Sequence, residues 1–140
     1  MKQYKWLSSL VIVCMALVAL TACGGGSSPS ANVNLTSFKI EITPTSIAAG
    51  SITFHVTNSA TDVAHDLVVV KTDLAAGSLP IDANGAVDMT KLTSLGKVSS
   101  LAVGASQDLV ISNMTAGHYV FFCSIAGHYQ TGMYADFTIN

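Results

Sequence analysis

Short strand-like segments recur along most of the chain and restrict its fold more than any other feature. In residues 52–57, the apolar residues Ile52, Phe54 and Val56 alternate with polar ones, so their side chains would lie on one face of a β-strand. Residues 67–70 are apolar throughout, which suits a strand covered on both faces. The predicted strands lie in residues 38–42, 52–57, 67–70, 106–112, 119–123 and 134–139.

One segment interrupts this strand pattern. Residues 74–98 contain Pro80 and the Asn84–Gly85 pair, which favour turns and loops. We predict a long excursion between two strands here, with a short helix around residues 87–95. The remaining strands, about six or seven within residues 35–140, predict an all-β, antiparallel sandwich that forms one domain.

Composition and charge exclude several classes of protein. The chain has 140 residues, of which 50% are hydrophobic and 10% charged, so it can build the core of one globular domain. Disordered chains need more charge and fewer apolar residues. Eight acidic residues outnumber six basic ones, which gives a net charge of −2. Because a nucleic-acid-binding protein needs a basic surface, we expect no nucleic-acid partner.

The N-terminal residues have the features of an export signal. Lys2 and Lys5 precede Leu10–Leu20, an unbroken apolar run of 11 residues. This length is typical of the hydrophobic region of a signal peptide, and it is shorter than the roughly 20 residues of a membrane-spanning helix. An uncleaved anchor is the less favoured alternative. We therefore predict an exported protein whose signal peptide comprises residues 1–22.

The residues Leu20-Thr21-Ala22-Cys23 resemble the lipobox of bacterial lipoproteins. The resemblance implies cleavage before Cys23 and lipidation of its thiol, and two or more acyl chains make anchoring to a bacterial membrane stable. The Gly- and Ser-rich stretch that follows suits a flexible tether, so residues 23–34 are assigned to the lipidated cysteine and linker. The domain, residues 35–140, would then lie in the periplasm or extracellular space. A secreted protein cleaved nearby is the alternative.

The predicted loop before the last strand carries three residues with metal-binding side chains. Cys123, His128 and Met133 follow the spacing Cys-x4-His-x4-Met, and a loop between adjacent strands can direct all three inward. Thiolate, imidazole and a weak thioether form the ligand set of copper that cycles between Cu(I) and Cu(II). Zinc uses thiolate and imidazole but has no use for thioether. The alternative for Cys123 alone is a small buried hydrophobe.

A copper site of this kind requires a second imidazole, and His65 is the best candidate. It lies at the start of the predicted strand in residues 67–70, just after a loop, so it is expected at the same end of the sandwich as the Cys123–Met133 loop. His55 alternates with apolar residues on the polar face of its strand, and His118 is out of phase with Cys123. Both are expected to face solvent.

In residues 58–70 and 117–133 the chain resembles the cupredoxins, the type 1 blue copper domains. The Cys-x4-His-x4-Met spacing is most similar to the auracyanin, rusticyanin and sulfocyanin branches. The resemblance implies a Greek-key β-sandwich with one copper ion. It further implies that His65, Cys123 and His128 form a trigonal plane of ligands and that Met133 is the long axial ligand. Asp66 stands where many members have Asn, which leaves the hydrogen bonding between the two segments open.

The resemblance implies an electron-transfer protein and not an enzyme. Three close ligands and a fourth from Met133 leave no open position on the metal for a substrate. The expected partners are redox proteins associated with the membrane, and the protein is expected to be a monomer held there by its lipid anchor. The alternative is a copper-binding chaperone or storage lipoprotein. Such proteins tend to use paired Cys or Met-rich runs, which this chain lacks.

Overall fold

Nine β-strands form two sheets in the computed structural model, which describes residues 28–140. The predicted signal peptide and Cys23 lie outside the described residues. No helix within residues 28–140 is long and apolar enough to cross a membrane. The strands are β1 (Ser30–Thr36), β2 (Lys39–Thr43), β3 (Ser46–Ile47), β4 (Gly50–Asn58), β5 (His65–Lys71), β6 (Ser94–Leu101), β7 (Ser106–Met114), β8 (Gly117–Phe122) and β9 (Tyr134–Ile139).

The two sheets confirm the predicted all-β sandwich but are mixed in strand direction. The first sheet has the order β2-β1-β4-β7 and the second the order β3-β9-β8-β5-β6. β1 runs parallel to β4, and β3 runs parallel to β9, so the expectation of a purely antiparallel arrangement was wrong. After the β1–β2 hairpin the chain crosses to the second sheet as β3 and returns as β4. The returning strand therefore lies beside β1 in the same direction.

The sandwich begins earlier than residue 35, the boundary predicted from the sequence. β1 starts at Ser30, and Ala31, Val33 and Leu35 are all buried against the core. Asn32 and Asn34 alternate with them, and Asn is depleted in strands, so the composition concealed the period of two. Residues 30–34 therefore belong to the folded domain and not to the linker.

The core between the sheets centres on three aromatic side chains. Phe54 on β4 contacts Phe121 on β8 and Phe137 on β9, with ring centroids 5.0 and 5.6 Å apart. Phe121 and Phe137 contact each other at 5.3 Å, and all three pairs meet edge to face. Burying each such side chain contributes roughly 1.5–3 kcal/mol. This cluster joins the two sheets from the interior.

The outer face of the second sheet is covered by the segment between β5 and β6, residues 72–93, here called the excursion. Its residues Ala76, Leu79 and Val87 are buried in a second apolar cluster with Val70 and Phe122, which point outward from the sheet. β5 is thus covered on both faces, as its apolar run predicted, and six of its seven residues are buried. The excursion is a second layer on the sandwich.

The predicted helix around residues 87–95 is wrong, because only the single 3₁₀ turn Met89–Lys91 forms there. Residues 94–101 instead form β6, which pairs antiparallel with β5. Gly96 weakens the strand signal in the sequence. In the fold it permits a close approach, since a Cβ at this position would lie about 3.0–3.1 Å from the side chains of Ile111 and Leu109 on β7. β6 and β7, the edges of the two sheets, therefore pack tightly together.

Candidate metal centre

His65, the first residue of β5, is completely buried at the end of its strand. The loop before it is held by Asn58, whose side-chain amide donates hydrogen bonds to the carbonyl oxygens of Val63 and Leu101 at 3.0 and 2.9 Å. The Oδ1 atom of Asn58 accepts a hydrogen bond from the backbone N–H of Ala60 at 3.0 Å. These bonds satisfy a buried amide and fix the strand end at which His65 enters the interior.

The other three predicted ligands lie in the loop between β8 and β9, which is closed by backbone hydrogen bonds. The N–H of Cys123 donates a hydrogen bond to the carbonyl oxygen of Met133. The N–H of Met133 donates one to the carbonyl oxygen of His128, and both bonds have a length of 3.1 Å. Between them, the 3₁₀ turn Tyr129–Thr131 ends at Gly132, whose φ of 105° lies in the left-handed region. Glycine adopts this conformation without steric cost, so it suits the sharp turn before Met133.

The side chains of His65, Cys123 and His128 converge on one point. Their donor atoms all lie within 4.8 Å of one another. The Nδ1 atoms of His65 and His128 are 3.3 Å apart, and the Sγ atom of Cys123 is 3.5 Å from Nδ1 of His128. Nitrogen and sulfur ligands bind such metal ions at about 2.0–2.3 Å, so two ligands of one ion lie roughly 3.3–3.8 Å apart. The spacing fits three ligands around a single ion.

Met133 adds a thioether beside this group. It is completely buried and belongs to the same apolar cluster as Cys123. Its backbone hydrogen bonds to Cys123 and His128 hold it at the end of the loop that carries both of them. Two imidazoles, a thiolate and a thioether are a donor set that suits copper, whereas zinc sites do not use thioethers.

His65 also carries an unpaired polar atom. Its Nε2 is buried and has no hydrogen-bond partner among residues 28–140. In a neutral ring this nitrogen can carry the proton, so that the lone pair of Nδ1 faces the other two donors. An unpaired buried donor costs about 1–3 kcal/mol, a cost that a metal bond to Nδ1 would offset. The residues present therefore fit a metal ion.

Burial shifts the pKa values of two of the donors, Cys123 and His65, in the metal-free protein. It raises the pKa of Cys123 to about 12. Burial, followed by repulsion from His128, lowers the pKa of His65. A metal ion requires the thiolate and the neutral imidazole. His65 is thus already in its ligating form near neutral pH, whereas Cys123 must release its proton when the metal binds.

Asp66 ties the two ligand segments together. It follows His65 in the chain, as Ser124 follows Cys123. Its carboxylate accepts hydrogen bonds from the backbone N–H and the hydroxyl of Ser124, and both bonds have a length of 2.5 Å. Lys97 on β6 approaches the same carboxylate, with its Nζ 3.4 Å from Oδ2. An Asp at this position therefore still makes hydrogen bonds between the two ligand segments.

His128 is only half-buried, whereas the other three predicted ligands are buried. The ring of Phe38, in the turn between β1 and β2, lies edge-on against its imidazole with centroids 5.3 Å apart. Phe38 is 40% exposed and has a φ of 64°, a left-handed conformation that is uncommon for an aromatic residue. No local sequence pattern predicts this contact. It places an exposed aromatic ring beside the one ligand that reaches the surface.

The remaining histidines of residues 28–140 are not part of the group. His55 is exposed and its Nδ1 lies 2.7 Å from a carboxylate oxygen of Asp108, which confirms its place on the polar face. His118 is half-buried, because the excursion folds over it. Its Nδ1 is 2.7 Å from the carbonyl oxygen of Thr72 and its Nε2 is 2.8 Å from Asp136. The expectation that His118 simply faces solvent was wrong.

A family model described as the Sulfocyanin (SoxE) domain matches residues 5–140. The chain belongs to the sulfocyanin family. This membership confirms the predicted resemblance to the auracyanin, rusticyanin and sulfocyanin branches of the cupredoxins. A search of curated protein sequences found no significant match.

Solved structures support the cupredoxin fold of this sulfocyanin-family chain. Auracyanin from Roseiflexus castenholzii, reduced with dithionite, is 22% identical with a TM-score of 0.61, over 82% of this chain and 99% of that one. Reduced rusticyanin is 16% identical with a TM-score of 0.56, over 81% of each chain. An azurin from Methylomonas sp. strain J is 16% identical with a TM-score of 0.55, over 81% of this chain and 99% of that one.

Cupredoxins bind one type 1 copper ion, which is the cofactor predicted from the sequence. The sulfocyanin-family chain brings together the residues that such an ion requires, since three nitrogen and sulfur donors converge in its interior beside a buried methionine. The metal centre lies where the β4–β5 turn, the β1–β2 turn and the β8–β9 loop meet at one end of the sandwich.

Proposed function

We propose that the protein is a membrane-tethered electron carrier that uses one copper ion, held by His65, Cys123, His128 and Met133. Bound copper supplies a one-electron Cu(I)/Cu(II) couple. The observation that carries the proposal is the convergence of the two Nδ1 atoms and the Sγ atom within 4.8 Å. The chain supplies a preformed set of soft and imidazole donors, and such a set leaves no open position for a substrate.

The burial of the donors supports electron transfer over catalysis on a substrate. His65, Cys123 and Met133 are completely buried, so only the half-buried ring of His128 connects the centre with the surface. Electrons would therefore enter and leave through the edge of His128. The exposed ring of Phe38 beside it would form part of the surface on which a redox protein docks.

Residues at the N-terminus support the proposed tether. Lipidation of Cys23 would anchor the chain, and residues 24–29 would link the anchor to β1. β1 runs from Ser30 toward the turn that carries Phe38, and its seven residues extend about 20 Å at roughly 3.3 Å per residue. The attachment point thus lies at the end of the sandwich away from the copper. Partners would be redox proteins that reach this exposed end, and the carrier would act as a monomer.

The proposed redox role is tested by transfer of one electron. The domain comprising residues 28–140 is loaded with Cu(II), reduced with ascorbate and reoxidised with ferricyanide. We expect one electron per protein in each direction, with copper retained throughout. Loss of copper to the solution on each reduction would contradict the role of carrier.

The alternative of a copper chaperone or storage protein predicts facile metal exchange. A chaperone holds copper at accessible ligands, whereas Cys123 and Met133 are completely buried here. We expect a Cu(I) chelator in moderate excess to remove copper slowly, over hours and not seconds. Rapid and complete transfer to the chelator would favour the alternative.

The tether is tested separately in the full chain expressed in a bacterial host. Cys23→Ser should shift the protein out of the membrane fraction or block its processing, because the lipidated thiol is lost. Cys14→Ser serves as the matched control, since this cysteine lies within the predicted signal peptide. A processed, membrane-bound Cys23→Ser protein would contradict lipid anchoring without affecting the copper proposal.

A further inference from the structure

Lys97 on β6 contacts Ser124 and Asp66, the two residues that directly follow the proposed ligands Cys123 and His65. Its Nζ donates a hydrogen bond to the hydroxyl oxygen of Ser124 at 3.2 Å and lies 3.4 Å from Oδ2 of Asp66. The Asp66 side chain is 9% exposed and that of Lys97 is 45% exposed. The lysine therefore connects a nearly buried carboxylate to the solvent.

The hydrogen bonds around Asp66 indicate an ionised carboxylate. Oδ1 accepts from the backbone N–H of Ser124, and Oδ2 accepts from the Ser124 hydroxyl, which in turn accepts from Lys97. A carboxylate with donors on both oxygens is used as an acceptor only. Because Asp66 follows His65 and Ser124 follows Cys123, this negative charge lies directly behind two of the proposed ligands.

A fixed charge close to a metal ion changes the relative energies of its oxidation states. A negative charge favours the more positive Cu(II), and a positive charge favours Cu(I), in proportion to their Coulomb interaction with the metal. Groups that contact the ligands without binding the metal are known to tune it in this way. Asp66 alone would therefore lower the reduction potential, and a cation paired with it would counteract that effect.

We propose that Lys97 sets the reduction potential of the copper site by offsetting the buried charge of Asp66. This inference rests on the proposed function and deepens it, because it concerns the potential of the same site. Lys97 acts through Asp66 and Ser124 and does not bind the metal. Water screens its partly exposed ammonium group, so the effect is modest, on the order of a tenfold change in the Cu(II)/Cu(I) ratio, or about 59 mV for one electron.

The primary test is voltammetry on charge variants of the copper-loaded domain. Lys97→Met keeps most of the aliphatic stem and removes the charge. The reduction potential should therefore fall, by an amount that corresponds to a change of up to about tenfold in the Cu(II)/Cu(I) ratio. Lys97→Arg keeps the charge and should retain the potential of the unsubstituted protein. Lys91→Met is the matched control, because Lys91 forms an ion pair with Asp88 in the excursion, at 3.3 Å, and should leave the potential unchanged.

A double-substitution cycle tests the pairing itself. Asp66→Asn removes the negative charge and should raise the potential, opposite in sign to Lys97→Met. The double variant Asp66→Asn with Lys97→Met should have a potential between those of the two single variants, since the opposite effects of the two charges partly cancel. Shifts of the same sign in the two single variants would overturn the proposal.

A measurement on the metal-free domain distinguishes an electrostatic role of Lys97 from a role in holding the loop in place. The backbone amide proton resonance of Ser124 reports its hydrogen bond to Asp66, and it should move strongly in Asp66→Ala and only slightly in Lys97→Met. A large shift in Lys97→Met would mean that Lys97 holds the loop in place, which contradicts an electrostatic role. If the unsubstituted protein forms no blue site, the proposed function fails. If Lys97→Met is blue with an unchanged potential, only this inference fails.

Discussion

The hydroxyl of Tyr129 donates a hydrogen bond of 2.6 Å to the carbonyl oxygen of Ala76. The same hydroxyl accepts one from the backbone N–H of Leu79 at 2.8 Å. Because Tyr129 directly follows the proposed ligand His128, these bonds fasten the metal-binding loop to the excursion. The excursion therefore supports the metal centre, in addition to covering the second sheet.

Replacing Tyr129 with Phe should destabilise the metal-free domain by about 1–3 kcal/mol. The substitution leaves the ring in place, but two buried backbone groups lose their hydrogen-bond partner. Urea unfolding should show a lower midpoint with an unchanged slope. Copper should still bind, because no ligand is altered.

Tyr134→Phe is the matched control for this prediction. The ring of Tyr134 contacts that of Tyr129 at 5.1 Å, but its hydroxyl makes no hydrogen bond within residues 28–140. Its loss should cost much less than that of the Tyr129 hydroxyl. Equal losses in the two variants would show that ring packing, and not the Tyr129 hydroxyl, supports the loop.

Substitution of the histidines should distinguish ligands from other residues. His65→Ala should destroy or severely distort the copper spectrum, because it removes one of the converging Nδ1 donors. His55→Ala and His118→Ala should leave the visible spectrum nearly unchanged, since their rings contact Asp108 and Asp136 outside the centre. Loss of the blue band in His118→Ala would identify His118, and not His65, as the ligand.

Met133 should tune the reduction potential more than it secures the metal. The axial bond in such sites is long and weak, so the three close ligands provide most of the affinity. Met133→Gln places a harder oxygen donor there and should lower the potential, whereas Met133→Leu removes the donor and should raise it. Voltammetry on both variants measures the two shifts. If the potential shifted in the same direction in both variants, or if Met133→Leu lost its copper completely, Met133 would not be the axial ligand.

The stability of the metal-free domain should fall as the pH is lowered from about 7 to 5. Burial lowers the pKa of His65, so below its unfolded value of about 6.5 the unfolded chain binds more protons than the folded one. The loss from one such site is at most about 1.4 kcal/mol per pH unit. Glu41 and Asp88, whose pKa values are also lowered, add to the loss only below about pH 4.5.

Urea unfolding at several pH values measures this loss, and His65→Gln is the control. Glutamine does not titrate, so the dependence between pH 5 and 7 should be weaker in that variant. A steeper or equal dependence in His65→Gln would assign the effect to other groups. Bound copper should suppress the dependence in the unsubstituted domain, because the metal competes with the proton for Nδ1.

Most of the sandwich was predictable, because its central strands follow simple patterns. Alternation in β4 and the apolar run of β5 reflect burial on one face or both, a local property of the sequence. β1 and β6 were missed since Asn residues in one and Gly96 in the other weaken strand propensity. Their strand conformation depends on pairing with β4 and β5, partners that are distant in the sequence.

Three of the four candidate ligands were predictable from spacing, but the residues that support them were not. Cys123, His128 and Met133 lie within one loop, so their proximity is encoded locally. The contacts of Lys97 with Ser124 and of Phe38 with His128 join segments that are far apart in the chain. No local pattern marks such pairs, and they became visible only with the fold.

The visible and electron paramagnetic resonance spectra of the Cu(II)-loaded domain test the central claim most directly. Titration of residues 28–140 with Cu(II) should saturate at one ion per protein, with an intense blue band from the Cys123 thiolate and the narrow copper hyperfine splitting of a type 1 site. Cys123→Ser should abolish the band while urea unfolding still shows a folded domain. An unsubstituted protein without the band, or a blue Cys123→Ser variant, would contradict the account.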